Sequence, residues 1–420
     1  MRPDGVSRRD ALLLTGSVFA AGLEPGVAAG SAATKPAAFR RGVNTFPWFS
    51  LTREFHAPRT DYAWPPFQEE RAVPRPEDLR RLADAGFDFV RIPVDPGPFL
   101  DARDGHRKRL MASLFDAVRA AQGAGLGVVV NIQANDATHY YRSANLIAAI
   151  DAPLFAAYRS FVVACAEGLA PMGPRIALEP VNEPPKACGS ETWLAVQSNL
   201  FAAVRARAPA LTLVATGSCG SMVSGLTALD PKPLAAFAPL LFTFHFYEPY
   251  LFSHQGAPWM QEPVYRALNA VPWPGSAGSL EQTLSAVKSR MELDAGRSPA
   301  EKREALAITE RLMRQYFEAN PGVGFLALYF DQVSAWVRAH AIPRDQVLMG
   351  EFGAVKTWGT IVGASPADRV RYVRDVREAA EARGFGWAFW NLFDSMGLMD
   401  DTSRAFDADI IRALGLRSSP

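Results

Sequence analysis

Charge of one sign is the first thing this chain lacks. Its 420 residues carry 44 basic and 43 acidic side chains, a formal net charge of +1, and no Lys/Arg block long enough to track a phosphate backbone. Nucleic acid is therefore not an expected partner. Cysteine is scarce as well: Cys165, Cys188 and Cys219 are three in all, with no metal-ligand spacing among them, so no zinc site is expected. Cys188 and Cys219 both follow predicted strands and can meet as a disulfide in an oxidising compartment, but buried free thiols are the commoner state and the expected one. Long hydrophobic runs are missing too. The apolar stretch from Ala11 to Gly22 is shorter than the ~20 residues a spanning helix needs, and no other stretch could span a bilayer. Neither an internal repeat nor an appended carbohydrate-binding module is visible.

What is present is a core. With 49% hydrophobic residues the chain can bury one of its own, and a monomer is expected. Residues 1–33 read as an export signal: Ser7-Arg8-Arg9-Asp10, the apolar stretch, then small residues from Val27 to Ala33 suited to cleavage. The paired arginines resemble a twin-arginine signal, although Ala11 precedes Leu12 where that pattern prefers an aromatic or leucine. The expected destination is periplasmic or extracellular, with no membrane attachment after cleavage. Removing Arg2, Arg8 and Arg9 together with Asp4, Asp10 and Glu24 leaves the charge at +1, so electrostatics favours neither an acidic nor a basic substrate.

Residues 34–420 alternate short apolar runs with amphipathic helical stretches, the pattern of βα units around a parallel sheet. Strands are expected at Arg40–Asn44, Phe87–Pro93, Gly127–Ile132, Arg175–Val181, Leu211–Thr216, Leu241–His245, Gln346–Glu351 and Gly386–Asn391. Helices are expected at Pro76–Ala85, Leu110–Ala124, Pro153–Ala170, Glu191–Ala208, Leu326–His340 and Pro366–Arg383. Eight units define a single α/β domain, a (β/α)8 TIM barrel. Two long insertions interrupt it, Phe46 to Arg75 after the first strand and Glu248 to Pro321 after the sixth; Pro272–Ser279 reads as a loop and Ser298–Asn320 as a helix within the second.

Barrels of this kind build their sites at the C-terminal ends of the strands. Polar residues gather there: Arg91 on the second strand, Asn182 and Glu183 on the fourth, His245 and Tyr247 on the sixth, Glu351 on the seventh, Trp390 and Asn391 on the eighth. One such residue is ordinarily a solvated strand end; the set is not. Two carboxylates on opposing sides of a barrel mouth can hold a glycosidic bond between them, and retaining hydrolysis asks for ~5 Å between the pair and for no cofactor. The two must differ in proton affinity. Arg91 is placed to keep Glu351 ionised, Tyr247 to donate to the same carboxylate, His245 to tune the proton on Glu183, and Asn182 to bind a sugar 2-hydroxyl.

Read together, Arg40-Arg41-Gly42-Val43-Asn44, Phe89-Val90-Arg91-Ile92-Pro93, Asn182-Glu183-Pro184, His245-Phe246-Tyr247, Gly350-Glu351-Phe352-Gly353 and Trp387-Ala388-Phe389-Trp390-Asn391 resemble glycoside hydrolase family 5 over nearly all of the chain after the signal. The resemblance implies Glu183 as acid/base and Glu351 as nucleophile. One position departs from it. The family usually carries a histidine near the end of the third strand, where this chain has Asn131-Ile132-Gln133; Gln133 can bind a sugar hydroxyl but cannot titrate, and His139 substitutes only if its loop folds back.

Other carboxylates have duller expected roles: Glu179 paired inside the barrel with an arginine or a hydroxyl, Glu248 in a loop, Asp95 and Asp394 at strand ends within reach of sugar hydroxyls. Sugar rings present apolar faces to aromatics. Trp390 is the expected platform at the reaction centre, with Trp48, Trp64, Tyr140, Trp259 and Trp358 for outer subsites; Trp273 also falls in a segment following a strand, whereas Trp193, Trp336 and Trp387 are expected in the core. The expected activity is retaining hydrolysis of a β-linked glycan, first an endo-β-1,4-glucanase, then a β-mannanase or exo-β-glucosidase. An envelope enzyme trimming bacterial exopolysaccharide is a further reading. A non-catalytic carbohydrate-binding barrel is the reading from another class, and the presence of both glutamates weighs against it.

Overall fold

Side chains alternate in and out along eight short strands, and the inward set builds the centre of the molecule. The computed structural model describes residues 36–67, 72–260 and 262–417; the expected export signal lies outside them. In chain order the strands are β1 (Arg41–Asn44), the pair β2 (Thr52–Glu54) and β3 (Tyr62–Phe67), then β4 (Phe89–Val94), β5 (Gly127–Ile132), β6 (Ile176–Glu179), β7 (Thr212–Thr216), β8 (Leu240–Phe246), β9 (Val347–Phe352) and β10 (Gly386–Phe389). All except β2 and β3 are parallel and close into a barrel in the order β1-β10-β9-β8-β7-β6-β5-β4. The expected (β/α)8 barrel is the observed one.

Its lower interior is a buried apolar layer of Phe89, Val129, Ala177, Val214, Leu241, Leu348 and Ala388, plugged by Phe39. Gly42 makes room for it, because a Cβ there would sit 2.2 Å from the Phe89 ring. Above this layer the inward positions turn polar, with Asn44, Arg91, Asn131, Glu179, Thr243 and His245 all buried. The outer faces of the strands pack on helices Pro76–Ala85, Asp104–Gly123, Phe155–Leu169, Glu191–Arg205, Val323–Ala339 and Pro366–Glu381, each within a few residues of its expected place, apart from the longer start of the second. Trp193, Trp336 and Trp387 are core residues as expected, and so is Trp273, which is fully buried and removed from any sugar-binding role.

Both insertions hold structure that the sequence pattern did not reveal. In the first, β2 and β3 form an antiparallel hairpin. The second folds into helices Tyr250–Ser253, Pro263–Ala267, Leu280–Glu292 and Pro299–Ala319, with a 3-10 turn at Gly275–Ala277 inside the expected loop. Leu280–Glu292 was not anticipated, although Ser279 caps it by accepting from the Gln282 amide. Pro299–Ala319 matches its expectation, with Ser298 and Glu301 forming a capping box. Among the described residues no helix is long and apolar enough to cross a membrane.

Candidate active site

Strict alternation would point Glu351 away from the barrel centre, since Leu348 and Gly350 have the inward parity. A β-bulge reverses this. Phe244 pairs with Met349 but His245 pairs with Glu351, so β9 carries one more residue than β8 at that step, and the β9–β10 register shifts there too. A bulge re-aims the side chain that follows it, here Glu351. Gly350 is the extra residue, and a Cβ on it would fall 2.6 Å from Thr243 Oγ1 and 3.2 Å from His245 Nε2.

Beneath Glu351 lies Arg91, wholly buried, with all five of its N–H donors engaged. Nε and Nη2 donate to the two oxygens of Glu179 at 2.7 and 2.9 Å. Nη2 also donates to Asn182 Oδ1 at 2.8 Å, and Nη1 donates to Asn44 Oδ1 and Glu351 Oε1, both at 2.8 Å. Glu179 is thus the arginine-paired interior residue that was expected. Asn44 was not singled out from the sequence, yet its Nδ2 donates to the Gly350 carbonyl at 3.0 Å and ties the arginine to the bulge. The other oxygen of Glu351 accepts from Tyr247 OH at 3.0 Å. Burial and the adjacent Glu351 charge push the Tyr247 hydroxyl far above its ordinary proton affinity, which keeps it a donor.

Glu183 reaches the same space by another route. The expected fourth strand stops at Glu179, two residues early, and Glu183 takes φ 37°, in the left-handed region that a non-glycine residue rarely adopts. His245 stands between the two carboxylates, its Nδ1 at 2.9 Å from Glu183 Oε1 and 3.5 Å from Glu351 Oε2. One side-chain N or O atom from each of Glu183, His245 and Glu351 lies within 4.8 Å of the others, close enough for a retaining pair, whose carboxyl groups stand about 5 Å apart. Such a trio also meets the geometric minimum for a metal site, but the Arg91 guanidinium already supplies the cation and would repel a second one. Burial pushes the Glu351 carboxyl above its ordinary value, the charges of His245 and Arg91 oppose that rise, and the charge of Glu183 adds to it. Burial alone would lower His245; the charges of Glu351 and Glu183 and the Glu183 hydrogen bond outweigh it, and the net direction is up.

The remaining expectations fare unevenly. Half-buried Trp390 packs against Phe46, ring centres 5.2 Å apart, and against an apolar cluster with Tyr247 and Met396 beside Glu351. Gln133 has its Oε1 buried without a protein partner, and so have both amide atoms of Asn131. His139 does not stand in for the missing histidine: its Nδ1 pairs with Glu54 of β2 at 3.0 Å. Asp95 and Asp394 serve turns instead, accepting from the Gly97 and Met396 amides, and burial pushes them up to about 7 and about 6. Glu248 is a loop residue that accepts from the Tyr247 amide. Of the outer aromatics, Trp48 stacks on Phe49, Tyr140 packs on Tyr141, and Trp64 stacks on His106 at 3.9 Å; Trp259 and Trp358 stand half exposed.

The free-thiol expectation is wrong for two of the three cysteines. Cys188 and Cys219 form a disulfide, and Cys165 remains a buried thiol. Elements far apart in sequence bring the pair together: the loop that carries Glu183 and the loop after β7 are laced by Cys219 N donating to Lys186 O at 2.7 Å and Gly220 N donating to Pro184 O at 3.1 Å. The same loop offers the Ser221 carbonyl to the His245 amide at 2.7 Å. The cross-link therefore braces both Glu183 and the histidine beside it.

A (β/α)8 barrel with two glutamates facing each other at the ends of its fourth and seventh strands is the architecture of a retaining glycoside hydrolase. The model for the cellulase family, glycosyl hydrolase family 5, matches residues 53–306, and the chain belongs to that family. It is a glycoside hydrolase of the retaining class, and enzymes of its family act on β-linked glycans. The match spans Arg91, Glu183 and His245 and ends before Glu351. Among solved structures, the cellulose synthase subunit Z of Clostridioides difficile superposes with a TM-score of 0.64 at 19% identity over 90% of this chain and 99% of that one. The Thermotoga maritima endoglucanase gives 0.62 at 19% identity over 89% and 96%, and a lichenase from Caldicellulosiruptor sp. F32 gives 0.59 at 17% over 94% and 99%. These likenesses bear on the fold. No curated protein sequence matches.

Two predictions follow from the hydrogen bonds. Tyr247→Phe removes a donor to ionised Glu351, so kcat/KM should fall about 10- to 100-fold, the equivalent of a charged hydrogen bond, and the acidic limb of its pH profile should move to higher pH. Glu179→Gln leaves Arg91 undercompensated, so the same limb should move to lower pH while stability drops by about 3 kcal/mol; pH–rate profiles and thermal melts read both, and limbs moving the same way would refute the account. The paired Cys188→Ser/Cys219→Ser variant opens a cross-link spanning 31 residues. It should lose about 3 to 4 kcal/mol of stability and lose kcat more than KM, and an unchanged kcat would show that the brace does not position Glu183.

Proposed function

We propose that the chain is an exported endo-β-1,4-glucanase in which Glu351 is the nucleophile and Glu183 the acid/base. The observation that carries the assignment is the unequal setting of the two carboxylates. Glu351 is buried and accepts from Arg91 and Tyr247, both of which favour its ionised form. Glu183 keeps a side chain 30% exposed and faces His245, where it can exchange a proton with the leaving group and then with water. In the first step a Glu351 oxygen bonds to the anomeric carbon as the glycosidic bond breaks, and Glu183 gives its proton to the departing oxygen. In the second, Glu183 takes a proton from water, the water oxygen bonds to the anomeric carbon, and Glu351 leaves. Arg91 fixes the oxygen of Asn182, turning its Nδ2 to the sugar, and Trp390 floors the reacting ring.

Endo-acting glucanases among the structurally similar proteins favour that substrate. A β-mannan is the second reading: structures of the Thermotoga maritima enzyme are described with cellobiose and with mannotriose as substrates, and Gln133 replaces the usual histidine near the sugar. Export follows from the twin-arginine-like segment, and the Cys188–Cys219 bridge suits an oxidising compartment.

Glu351→Ala should abolish turnover and regain it with azide, giving a glycosyl azide of inverted configuration. Glu183→Ala should keep the first step for substrates with good leaving groups and give the retained azide. Exchange of the two outcomes would reverse the roles. Reducing-end release from a panel of β-glucans and β-mannans identifies the substrate, and silence on all of them would sink the glycanase reading.

A further inference from the structure

The helices of the second insertion and the loop after β9 line an open cavity of about 320 Å³ that plays no part in the chemistry above. Arg266, Arg290 and Asp294 line it. Cationic charge exceeds acidic charge there. Asp294 is shared at 3.7 Å by Arg266 and by Arg297, too far for a tight pair with either, and Arg290 donates to the Thr360 carbonyl at 2.6 Å. The Arg266 side chain is 50% exposed.

Two exposed tryptophans adjoin residues that line the cavity. Trp259 follows the lining residue Pro258 and is 52% exposed; Trp358 is 47% exposed and exchanges backbone hydrogen bonds of 3.0 and 2.9 Å with the lining residue Ile361. Exposed indoles are the natural surface for the C–H faces of sugar rings, and guanidinium groups bind carboxylates with paired N–H donors. One apolar cluster joins the cavity to the reaction centre: Ile361 and Trp390 both pack against the cluster that contains Tyr247.

We infer that this cavity is an outer subsite for a carboxylate-bearing β-glycan, with Trp259 and Trp358 stacking the sugar units and Arg266 and Arg290 holding an acidic substituent. The inference rests on the glycanase reading only for the kind of chain that arrives; binding is a separate property. It makes the favoured substrate an acidic polysaccharide although the chain as a whole is almost neutral.

Affinity electrophoresis of the full chain in gels containing carboxymethylated or neutral hydroxyethylated β-glucan tests this without requiring turnover. The wild type should be retarded more strongly by the carboxylated polymer, and less so as salt is raised. Arg266→Glu should raise the apparent Kd for the carboxylated polymer about tenfold relative to the neutral one, Arg266→Lys should lose much less, and Trp358→Ala should weaken binding to both. Thermal melts identify any variant that has simply lost its fold, and Arg266→Lys, which keeps the charge, carries the comparison in that case. Equal retardation of the wild type by both polymers, or an Arg266→Glu variant indistinguishable from it, overturns the inference. If the carboxylated polymer is bound but no β-glycan is cleaved, the subsite stands and the glycanase reading falls.

Discussion

The site depends on one buried guanidinium. Removing Arg91 from water costs several kcal/mol unless its charge and donors are met, and the barrel meets them with two carboxylates and two amides from three other strands, β1, β6 with the turn after it, and β9. Because the guanidinium is rigid and planar, satisfying it fixes where Asn44, Glu179, Asn182 and Glu351 stand relative to one another. Lysine, a compact charge with three donors, could not impose that arrangement. Glu179 shares the guanidinium with Glu351, so the positive charge reaching Glu351 opposes, without reversing, the rise in proton affinity that burial imposes, and the other oxygen of Glu351 is bound by Tyr247.

Regular strands alone would not deliver the two glutamates. Glu351 needs the bulge at Gly350, and Glu183 needs the left-handed turn after β6. Each departure is held by a neighbour, the bulge by Asn44 from below and the turn by the Cys188–Cys219 bridge and the backbone bonds around it. Conformational cost is thus placed at the two glutamates, where the surrounding contacts can sustain it.

This division explains what was legible in the sequence. Strand positions and the polar residues at their ends are local properties, and the expected barrel, Arg91, Glu179, His245 and Tyr247 all fall where that pattern puts them. The bulge is not local: Gly350 is required by Thr243 and His245 on the adjacent strand, which no reading of the seventh strand alone reveals. The hairpin was hidden because β3 contains Pro65 and Pro66, residues that argue against a strand unless it lies at an edge. Cys188 and Cys219 illustrate the limit most clearly, since sequence separation carries no information on whether two loops meet. His139 shows the same limit from the opposite side: its partner Glu54 belongs to that unexpected hairpin.

The reaction centre and the inferred outer subsite draw on different parts of the molecule. The arginine network draws only on barrel strands and their immediate ends, whereas Trp259, Arg266 and Arg290 belong to the second insertion and Trp358 to the loop after β9. An apolar cluster of Tyr247, Ala257, Met260, Val355 and Met396 lies between the two regions, touching Trp390 on one side and Ile361 on the other. The proton affinity of Glu351 is set by its burial and by the charges of His245, Arg91 and Glu183 around it, so the inferred subsite can take its sign from the insertion while the polar upper barrel places no demand on the charge of the substrate.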